Sequence, residues 1–425
     1  MKRKMSIQPR NTIMLPLDIP DVEVIGTEIN ERGDFIISVE STRETAICQH
    51  CGSQLTKLNG HNREIELRHL PILGQRVYIR IRPKRYECPK CDGKTSTQKL
   101  DWYESKSPHT KAYDRHLMLS LIHSTVEDVS RKESVGYKAV EGAIARCIAL
   151  QVNWDEFTDL KIIGVDEIAM RKGRQNYVAL VTSKQEDGRV TILGVLADRK
   201  KETVRAFLET IPACLRRTIE KVCTDMWDGY VNAVEEFAAA HKDLSLEIIV
   251  DRFHVAKNYR ECVDKVRKKE IRRLKAELTE KEYEKIKGLM WIVRKNNRDL
   301  TTTEREKLNL LFGHSPKLKL AYTFREELTA IFELNLTVEE GKDRLTKWCN
   351  KVRASTLTCF KKFLVTLDNW MDKIANYFSG RLSSGFVEGL NNKVKVLKRR
   401  CYGILQTTTL FQRLYLDLEG YRIFA

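Results

Sequence analysis

Three successive segments in the middle of the chain are rich in valine and isoleucine and are separated by turn residues. They read LKIIGVDEIAM, NYVALVTSK and RVTILGVLADRK, and the first begins at Leu160. Such segments are typical of β-strands. A helix over about 202–215, the strand EKVCTD, a helix around 230–240 and the strand LEIIVD follow. Three strands in succession and then strand–helix alternation predict a mixed sheet with helices on its faces.

Helical patterns precede this sheet. Thr125 is a predicted N-cap with Asp128 three residues later, and a turn is expected over 134–136. Apolar residues recur at helical spacing on both sides of that turn: Leu117, Leu121, Ile122, Val140, Ile144 and Ile148. The order of these helices predicts a helix-turn-helix, although any helical hairpin has a similar pattern. Lys138 and Arg146 are then candidates for contacts with DNA, or members of a solvated face.

After the last strand the sequence is helical and highly charged up to about Ile374, and a basic segment follows. This segment, SGFVEGLNNKVKVLKRRCYG at 384–403, has one acid, Glu388, in front of its basic run. A helix here has one apolar stripe, formed by Phe386, Leu390, Val394 and Leu397. A second stripe carries Glu388, Asn392, Lys395 and Arg399. Asn392, Lys395 and Arg399 of this stripe are predicted to contact DNA, the two basic side chains by binding its phosphates.

The charge of the chain indicates what it binds. The 425 residues carry a formal net charge of +17, with a pI near 9.3, and 42% of them are hydrophobic. The hydrophobic content excludes a disordered chain, and the positive charge makes a polyanion, above all nucleic acid, the default partner. No apolar run approaches the roughly 20 residues of a membrane-spanning helix. We therefore expect a cytoplasmic, nucleoid-associated protein with no membrane partner.

Four of the eleven cysteines form two pairs with the spacing of a zinc ribbon. CQHC contains Cys48 and Cys51, and CPKC contains Cys88 and Cys91. Two such pairs place four thiolates around one ion and leave no open coordination position, so the sequence predicts a structural Zn²⁺ site. The alternation in QRVYIRIRPKRYE predicts a ribbon hairpin that carries four arginines: Arg76, Arg80, Arg82 and Arg85.

Two of the predicted strands end on aspartate, Asp166 in the first and Asp225 after the fourth. Together with Glu388 on the late helix, these acids can hold two Mg²⁺ (or Mn²⁺) ions, because such ions prefer oxygen ligands. Two ions of this kind promote displacement at phosphorus. Taken singly, each acid has a simpler interpretation as a turn residue, a solvated acid or a partner of the helix dipole. Their combination with this order of strands, the predicted zinc ribbon and the predicted helix-turn-helix favours the metal site.

Neighbouring residues compete for these roles. Asp228 falls where a helix N-cap is expected, so Asp225 is preferred to it. Glu167 alternates to the strand face opposite its neighbour. Asp251 and His254 in DRFH are accessory candidates, with a capping aspartate and a packed histidine as the alternative. Four tryptophans are candidates for stacking on an unpaired base, although core packing is expected for most of them: Trp227, Trp291, Trp348 and Trp370.

These motifs together resemble the ISL3 family of bacterial insertion-sequence transposases. Members of that family combine a zinc ribbon, a helix-turn-helix and a DDE catalytic core with the ribonuclease-H-like fold. The resemblance covers nearly the whole chain and rests on the two CxxC pairs and on IGVDEIAMRKGRQNYV, CTDMWDGY, VDRFHVAKNY and SSGFVEGLNNKVKVLKRRCYGI, the last being the most specific. It implies the catalytic triad Asp166, Asp225 and Glu388.

The resemblance also implies a multidomain α/β architecture. Its order is an N-terminal β-hairpin segment (1–46), a zinc ribbon (47–108), a helix-turn-helix (109–155), and a ribonuclease-H-like mixed-sheet core (156–260 and 375–425) interrupted by an all-helical insertion (261–374). The implied function is to bind the terminal inverted repeats of an element, cleave the DNA and transfer its 3′-hydroxyl into target DNA. We expect a homodimer or higher oligomer on DNA.

Two other classes of protein stay open on the sequence alone. One is a domesticated DNA-binding regulator that keeps the zinc and helix-turn-helix modules without catalysis, against which the three intact acids count. The other is a ribonuclease H or a junction resolvase on the same fold. The N-terminal modules and the long helical insertion disfavour that second class.

Overall fold

The computed structural model describes residues 16–171, 175–289, 291–382 and 385–425, and it describes Arg171, Gln175 and Glu388 by their backbone alone. The chain divides into two compact units, one formed by Met1–Ile148 with Glu419–Ala425 and the other by Ala149–Leu418. Among the helices of this described part, none combines the length and the apolar character that crossing a membrane requires.

The described residues of the first unit form three small sheets. Its strands are β1 Val22–Ile29, β2 Phe35–Ser41, β3 Ala46–Ile47, β4 Gln54–Leu55, β5 Leu58–His61, β6 Ile65–Ile72, β7 Gln75–Ile81, β8 Lys84–Glu87 and β9 Thr95–Thr97. They form sheets with the orders β1-β2-β7-β6, β3-β4 and β5-β8-β9. In the first sheet β2 runs parallel to β7, whereas its other pairs are antiparallel.

Of the four arginines predicted for one ribbon hairpin, three lie on strands of two different sheets and Arg82 lies in the link between these strands. Arg76 and Arg80 belong to β7, whose alternate residues Val77, Ile79 and Ile81 are buried, and Arg85 belongs to β8. Three of the arginines bind acids: Arg76 binds Asp34 at 2.7 Å, Arg80 binds Glu28 and Glu66 at 2.7 Å, and Arg82 binds Glu64 at 2.9 Å. These arginines therefore stabilise the strands of their own unit.

Three helices follow the strands of this unit: α1 Lys111–Leu121, α2 Val126–Glu133 and α3 Tyr137–Cys147. The Thr125 side chain caps α2 by accepting from the Asp128 N–H at 3.0 Å, as the sequence predicts. Ser134 ends α2 in the left-handed conformation, with φ of 53°. The predicted apolar residues of α1 to α3 are buried together, because each helix presents one apolar stripe to the other two.

The second unit is built on a five-stranded sheet with the order β12-β11-β10-β13-β14. Its strands are β10 Lys161–Arg171, β11 Gln175–Lys184, β12 Val190–Val195, β13 Ile219–Thr224 and β14 Glu247–Val250. The first three form an antiparallel meander, and β13 and β14 run parallel to β10. The predicted mixed α/β sheet is therefore present.

Helices cover both faces of this sheet. On one face lie α4 Lys201–Glu209, α5 Ala213–Arg216 and α6 Asp228–Ala240, and on the other lie α13 Gly385–Arg400 and the first part of α14 Thr407–Phe424. The single helix predicted over 202–215 is divided into α4 and α5, because Pro212 lacks the N–H that would continue the hydrogen-bond ladder.

A separate group of helices stands between β14 and α13. It consists of α7 Arg252–Glu277, α8 Glu280–Ile286, α9 Thr302–His314, α10 Pro316–Glu333, α11 Val338–Arg353 and α12 Lys361–Ala375. These helices bury an aromatic-rich core of their own, with Phe324, Trp348 and Phe360 among its residues. The α7 helix starts directly after the last strand of the sheet.

Candidate functional site

Three aspartates follow equivalent positions on three neighbouring strands. Val165 of β10 pairs with Thr224 of β13, and Thr224 pairs with Val250 of β14. The next residues along the chain are Asp166, Asp225 and Asp251, which are all buried, with 8%, 9% and 4% of their surface exposed. Since the three strands are parallel, these aspartates lie at the same level of the sheet. Asp225 and Asp251 directly follow β13 and β14, whereas Asp166 lies inside β10, which continues to Arg171 through its pairing with β11, so the prediction that Asp166 ends its strand is wrong.

Both carboxylate oxygens of Asp166 are held by hydrogen bonds. Its Oδ1 accepts from the Glu167 backbone N–H at 2.6 Å, and its Oδ2 accepts from Asn391 Nδ2 of α13 at 2.5 Å. Burial, together with the negative charge of Asp225, raises the pKa of Asp166 to about 7. Repulsion between two buried carboxylates has this effect on a pKa, and such shifted acids are common at functional sites.

His254 and Asp251 complete a cluster around Asp225. His254 Nε2 lies 3.0 Å from Asp225 Oδ1, and ligand atoms of all three residues lie within 4.8 Å of one another. Burial lowers the pKa of His254, but the hydrogen bond and charge of Asp225 outweigh this, so the pKa is raised. Asp251 accepts from the Phe253 N–H at 3.0 Å and caps α7. The capping alternative for Asp251 thus holds alongside its place in the cluster.

Glu388 lies in the first turn of α13, and its side chain falls outside the described residues. The neighbouring Val387 is fully buried and packs on β10: a Cβ atom added at Gly164 would meet Val387 Cγ2 at 2.5 Å and a Phe386 ring carbon at 2.9 Å. Gly164 precedes Asp166 by two residues on the same strand face. The backbone of the Glu388 turn is therefore seated against the strand that carries Asp166.

This close approach makes Gly164→Ala a test of the packing between α13 and the sheet. The added methyl group is expected to lower the free energy of unfolding by about 1–3 kcal/mol, because Val387 and Phe386 must move. Gly389→Ala, on α13 itself, is the control. No atom lies within 4 Å of its added Cβ among the described residues, so it is expected to stabilise the protein by about 0.5–1 kcal/mol. Denaturant unfolding of both variants measures the two changes, and equal effects would contradict the packing.

The exposed stripe of α13 carries the predicted basic residues. Asn392, Lys395 and Arg399 are exposed. The buried stripe consists of Val387, Leu390, Val394 and Leu397, so Val387 takes the place predicted for Phe386, which is half-buried. The physical reason is the recess over Gly164, which accepts Val387. Lys398 is a structural residue, because its Nζ donates to the carbonyl oxygens of Ala169 at 2.6 Å and Met170 at 2.9 Å.

Four cysteine sulfurs in the first unit have the geometry of a tetrahedral site. The Sγ atoms of Cys48 and Cys91 are 3.9 Å apart, those of Cys51 and Cys88 are 3.7 Å apart, and all four lie within 4.8 Å of one another. A tetrahedron with Zn–S bonds of about 2.3 Å has S···S edges of about 3.8 Å. Each pair is followed by a glycine in the left-handed region, Gly52 with φ of +70° and Gly93 with φ of +73°.

The chemistry of these thiols also fits a cation. A hydrogen bond between the Cys51 and Ser53 side chains lowers the pKa of the Cys51 thiol to about 6. Contact with Cys51 and burial raise the pKa of Cys91 to about 12. Cys51 is thus favoured as a thiolate by its hydrogen bonds, whereas the ionisation of Cys91 beside it is disfavoured; a bound Zn²⁺ would stabilise the thiolates together.

Residues 163–414, more than half of the chain, match the ISL3 family model described as "Transposase". The chain belongs to the ISL3 family of transposases. Residues 44–91, which contain the four cysteines, match the model described as the zinc-finger of transposase IS204/IS1001/IS1096/IS1165. The transposase is thus an insertion-sequence protein with a zinc ribbon, and its four-cysteine cluster points to Zn²⁺.

Curated relatives match the transposase over almost its full length. The transposase for insertion sequence element IS1001 of Bordetella parapertussis is 25% identical over 386 residues, which cover 90% of this chain and 91% of that relative. The transposase for insertion sequence element IS1557 of Mycobacterium tuberculosis is 24% identical over 425 residues, which cover 94% and 93% of the two chains.

Beside the acids of the transposase, the structure places an aromatic and cationic group. Glu167 lies on the opposite strand face from Asp166, as predicted, and binds Arg199 at 2.7 Å. The Arg199 guanidinium lies 4.6 Å from the ring centres of both Tyr177 and Trp227. Trp227 is 42% exposed. Of the other three tryptophans predicted as stacking candidates, Trp291 is exposed, Trp348 is buried and Trp370 is partly buried against the core of the helical group.

The two residues predicted to face DNA in the helical hairpin differ in their surroundings. Lys138 is exposed over 90% of its side chain and pairs with Glu141. Arg146 binds Asp114 through Nε at 2.7 Å and Nη2 at 2.8 Å, and Asp114 is buried. The structure therefore gives Arg146 an intramolecular role, and of the two only Lys138 presents its charge to solvent.

Asn391 is the site residue that the sequence analysis missed. It is buried on α13 and donates to Asp166. The available signal is its position: it falls on the apolar stripe once that stripe is counted from Val387 instead of Phe386. A polar residue on an apolar stripe is the informative kind of exception.

Proposed function

We propose that this transposase is a DDE enzyme that cleaves DNA at the ends of its element and transfers the 3′-hydroxyl into target DNA. The observation that carries the proposal is the placement of Asp166 and Asp225 at the same level of adjacent parallel strands. The strand order and the helical insertion before Glu388 support a ribonuclease-H-like core. Metal-dependent cleavage of DNA that carries the element's terminal repeats tests the proposal.

The residues present fit a divalent cation. Asp166 and Asp225 are buried carboxylates with oxygen ligands of the kind that Mg²⁺ and Mn²⁺ prefer, and Glu388 is proposed to be the third acid. When bound, such ions activate the attacking oxygen and stabilise the leaving oxygen. The protein fixes the Asp166 carboxylate through the Glu167 N–H and Asn391, and it orients Asp225 through His254. Asp251 holds the start of α7, which carries His254, in place.

DNA recognition is proposed for the first unit. The zinc ribbon (47–108) and the helical trio (109–155), taken as a helix-turn-helix, would bind the terminal inverted repeats, with Lys138 binding a phosphate. The capped turn between α2 and α3 supports this interpretation. Binding as a dimer or higher oligomer would bring two ends together, and binding to chromosomal DNA would make the protein nucleoid-associated.

The exposed stripe of α13 is proposed to bind the DNA backbone next to the acids. We expect Lys395→Ala/Arg399→Ala to weaken DNA binding at all sequences and to flatten its salt dependence. Every phosphate that the variant no longer neutralises reduces the slope of log K against log salt by about 0.9, because fewer counterions are released. Affinity measured at several salt concentrations, without divalent metal, gives the slope.

Lys307→Ala/Lys319→Ala is the matched control for this variant. It likewise removes two positive charges, but from exposed positions of α9 and α10, so the slope should stay that of the wild type.

Glu388→Gln should leave the affinity for DNA unchanged or slightly higher, since it removes a negative charge beside the basic residues. An unchanged slope in the Lys395 and Arg399 variant would show that this stripe is a solvated surface.

A further inference from the structure

Asn391 is a polar residue on the buried face of α13. Its neighbours on that face, Leu390 and Val394, are 4% and 0% exposed and pack on the sheet, whereas Asn391 itself is 9% exposed. A buried amide is unfavourable unless its donor and its acceptor are both satisfied. An apolar side chain would suit this face better on packing grounds, so Asn391 needs another explanation.

One half of the amide has a clear partner. Asn391 Nδ2 donates to Asp166 Oδ2 at 2.5 Å, while Asp166 Oδ1 accepts from the Glu167 N–H. Each carboxylate oxygen of Asp166 therefore uses one acceptor position on the protein and keeps others for a further ligand. These two bonds fix the orientation of the carboxylate from opposite sides, one from its own strand and one from the helix that carries Glu388.

The other half of the amide has none. Within the part of the chain that the structure describes, Asn391 Oδ1 is buried and lacks a hydrogen-bond partner. Amide oxygens are neutral ligands of the class that Mg²⁺ and similar cations accept beside carboxylates. The unpartnered oxygen belongs to the same side chain that contacts Asp166, so it lies beside the carboxylate proposed to hold the ion.

We propose that Asn391 belongs to the metal site of this transposase: its Nδ2 positions Asp166, and its Oδ1 supplies a neutral oxygen ligand to the divalent cation. The inference rests on the proposed function, since it assigns a further residue to the same site. It differs from a structural role in one consequence. A structural amide stabilises the fold, whereas an amide reserved for a cation leaves the metal-free protein no more stable than an apolar side chain would.

The test measures Mn²⁺ binding to the full chain without DNA, by the electron paramagnetic resonance signal of free Mn²⁺, together with the unfolding temperature in EDTA. Asn391→Leu is expected to unfold near the wild-type temperature in EDTA, because the removal of an unpartnered buried oxygen offsets the loss of the hydrogen bond to Asp166. Its Mn²⁺ affinity should fall by about 10–100-fold, the usual effect of losing a residue that orients a metal ligand.

Asn376→Leu is the contrasting control. Asn376 is half-buried, and its Nδ2 donates to the carbonyl oxygen of Ile248 at 2.9 Å, which is a structural bond. Its replacement is expected to lower the unfolding temperature and leave Mn²⁺ affinity unchanged. The two leucine variants should therefore move stability and metal affinity in opposite ways.

Asn391→Asp keeps an oxygen ligand and adds a charge beside Asp166. In EDTA its unfolding temperature should fall through repulsion between the carboxylates, and Mn²⁺ should restore it, with an affinity at least that of the wild type. A folded Asn391→Leu variant with wild-type Mn²⁺ affinity would overturn the proposal. If that variant does not fold, weakened Mn²⁺ binding by Asn391→Asp overturns it. Wild-type affinity in Asp166→Asn would instead remove the proposed metal site itself.

Discussion

Asp225→Asn is expected to abolish DNA cleavage and strand transfer by this transposase while leaving its binding to element ends intact. The substitution keeps the size of the side chain and its contact with His254 but removes the charge that a cation requires. A loss of more than about 1,000-fold, which corresponds to about 4 kcal/mol in the barrier, is expected. Cleavage of DNA carrying the terminal repeats, in Mg²⁺, measures the loss, and a mobility shift with the same DNA measures end binding.

Asp228→Asn is the matched control, because Asp228 belongs to the same DMWDGY motif. Asp228 is exposed at the first residue of α6, with Trp227 at the N-cap position, so it does not take the capping position expected from the sequence. Its variant should cleave DNA normally. Asp166→Asn and Glu388→Gln should behave like Asp225→Asn. Near-normal cleavage by any of these three would remove that acid from the triad, and a wild-type protein that binds element ends but does not cleave them would leave the DNA-binding regulator as the better description.

Asp166 and Asp225 were predictable as candidates because each one follows a run of buried strand residues. Val165 and Thr224 each close a run of apolar and β-branched residues, although β13 stops there and β10 continues to Arg171. The alternation along β10 likewise predicts that Glu167 points away from Asp166, which its bond to Arg199 confirms. These inferences need only local patterns and the period of a strand.

Asn391 was not predictable in the same way, since it depends on the rotational phase of a helix. The sequence offers two adjacent asparagines, and one residue of shift rotates a helix by about 100°. Counting the apolar stripe from Phe386 groups Asn392 with Glu388. The packing of Val387 over Gly164 sets the true phase and directs Asn391 to Asp166. That contact joins segments more than 200 positions apart, and nothing within α13 encodes it.

In the first unit, the positions and partners of several arginines were also not predictable, because they depend on pairing between distant segments. The parallel pairing of β2 with β7 separates Arg76 and Arg80 from Arg85, although all three stand in one alternating segment. The bond of Arg146 to the buried Asp114 is similar, because it depends on how α3 packs against α1. A local pattern identifies an exposed-looking cation but not the acid that the fold brings to it.

Cys88→Ser is expected to unfold the zinc ribbon and abolish specific end binding, while the second unit keeps its fold. Cys88 is fully buried, and its Sγ lies 3.7 Å from that of Cys51. The core around it contains only a few side chains, among them Leu55 and Tyr86. Such a small core gains most of its stability from the ion, because zinc binding contributes directly to folding. One ligand fewer should therefore melt the ribbon.

Cys214→Ser is the control for Cys88→Ser, since Cys214 is an exposed thiol on α5 of the second unit. It should keep one Zn²⁺ per chain and bind element ends like the wild type. Metal analysis of the purified proteins, limited proteolysis of the ribbon and the same mobility shift distinguish the two variants. Stoichiometric zinc and normal end binding in Cys88→Ser would contradict the four-sulfur site. A wild-type protein purified without zinc would show that the ribbon is held by its hydrogen bonds and small core alone.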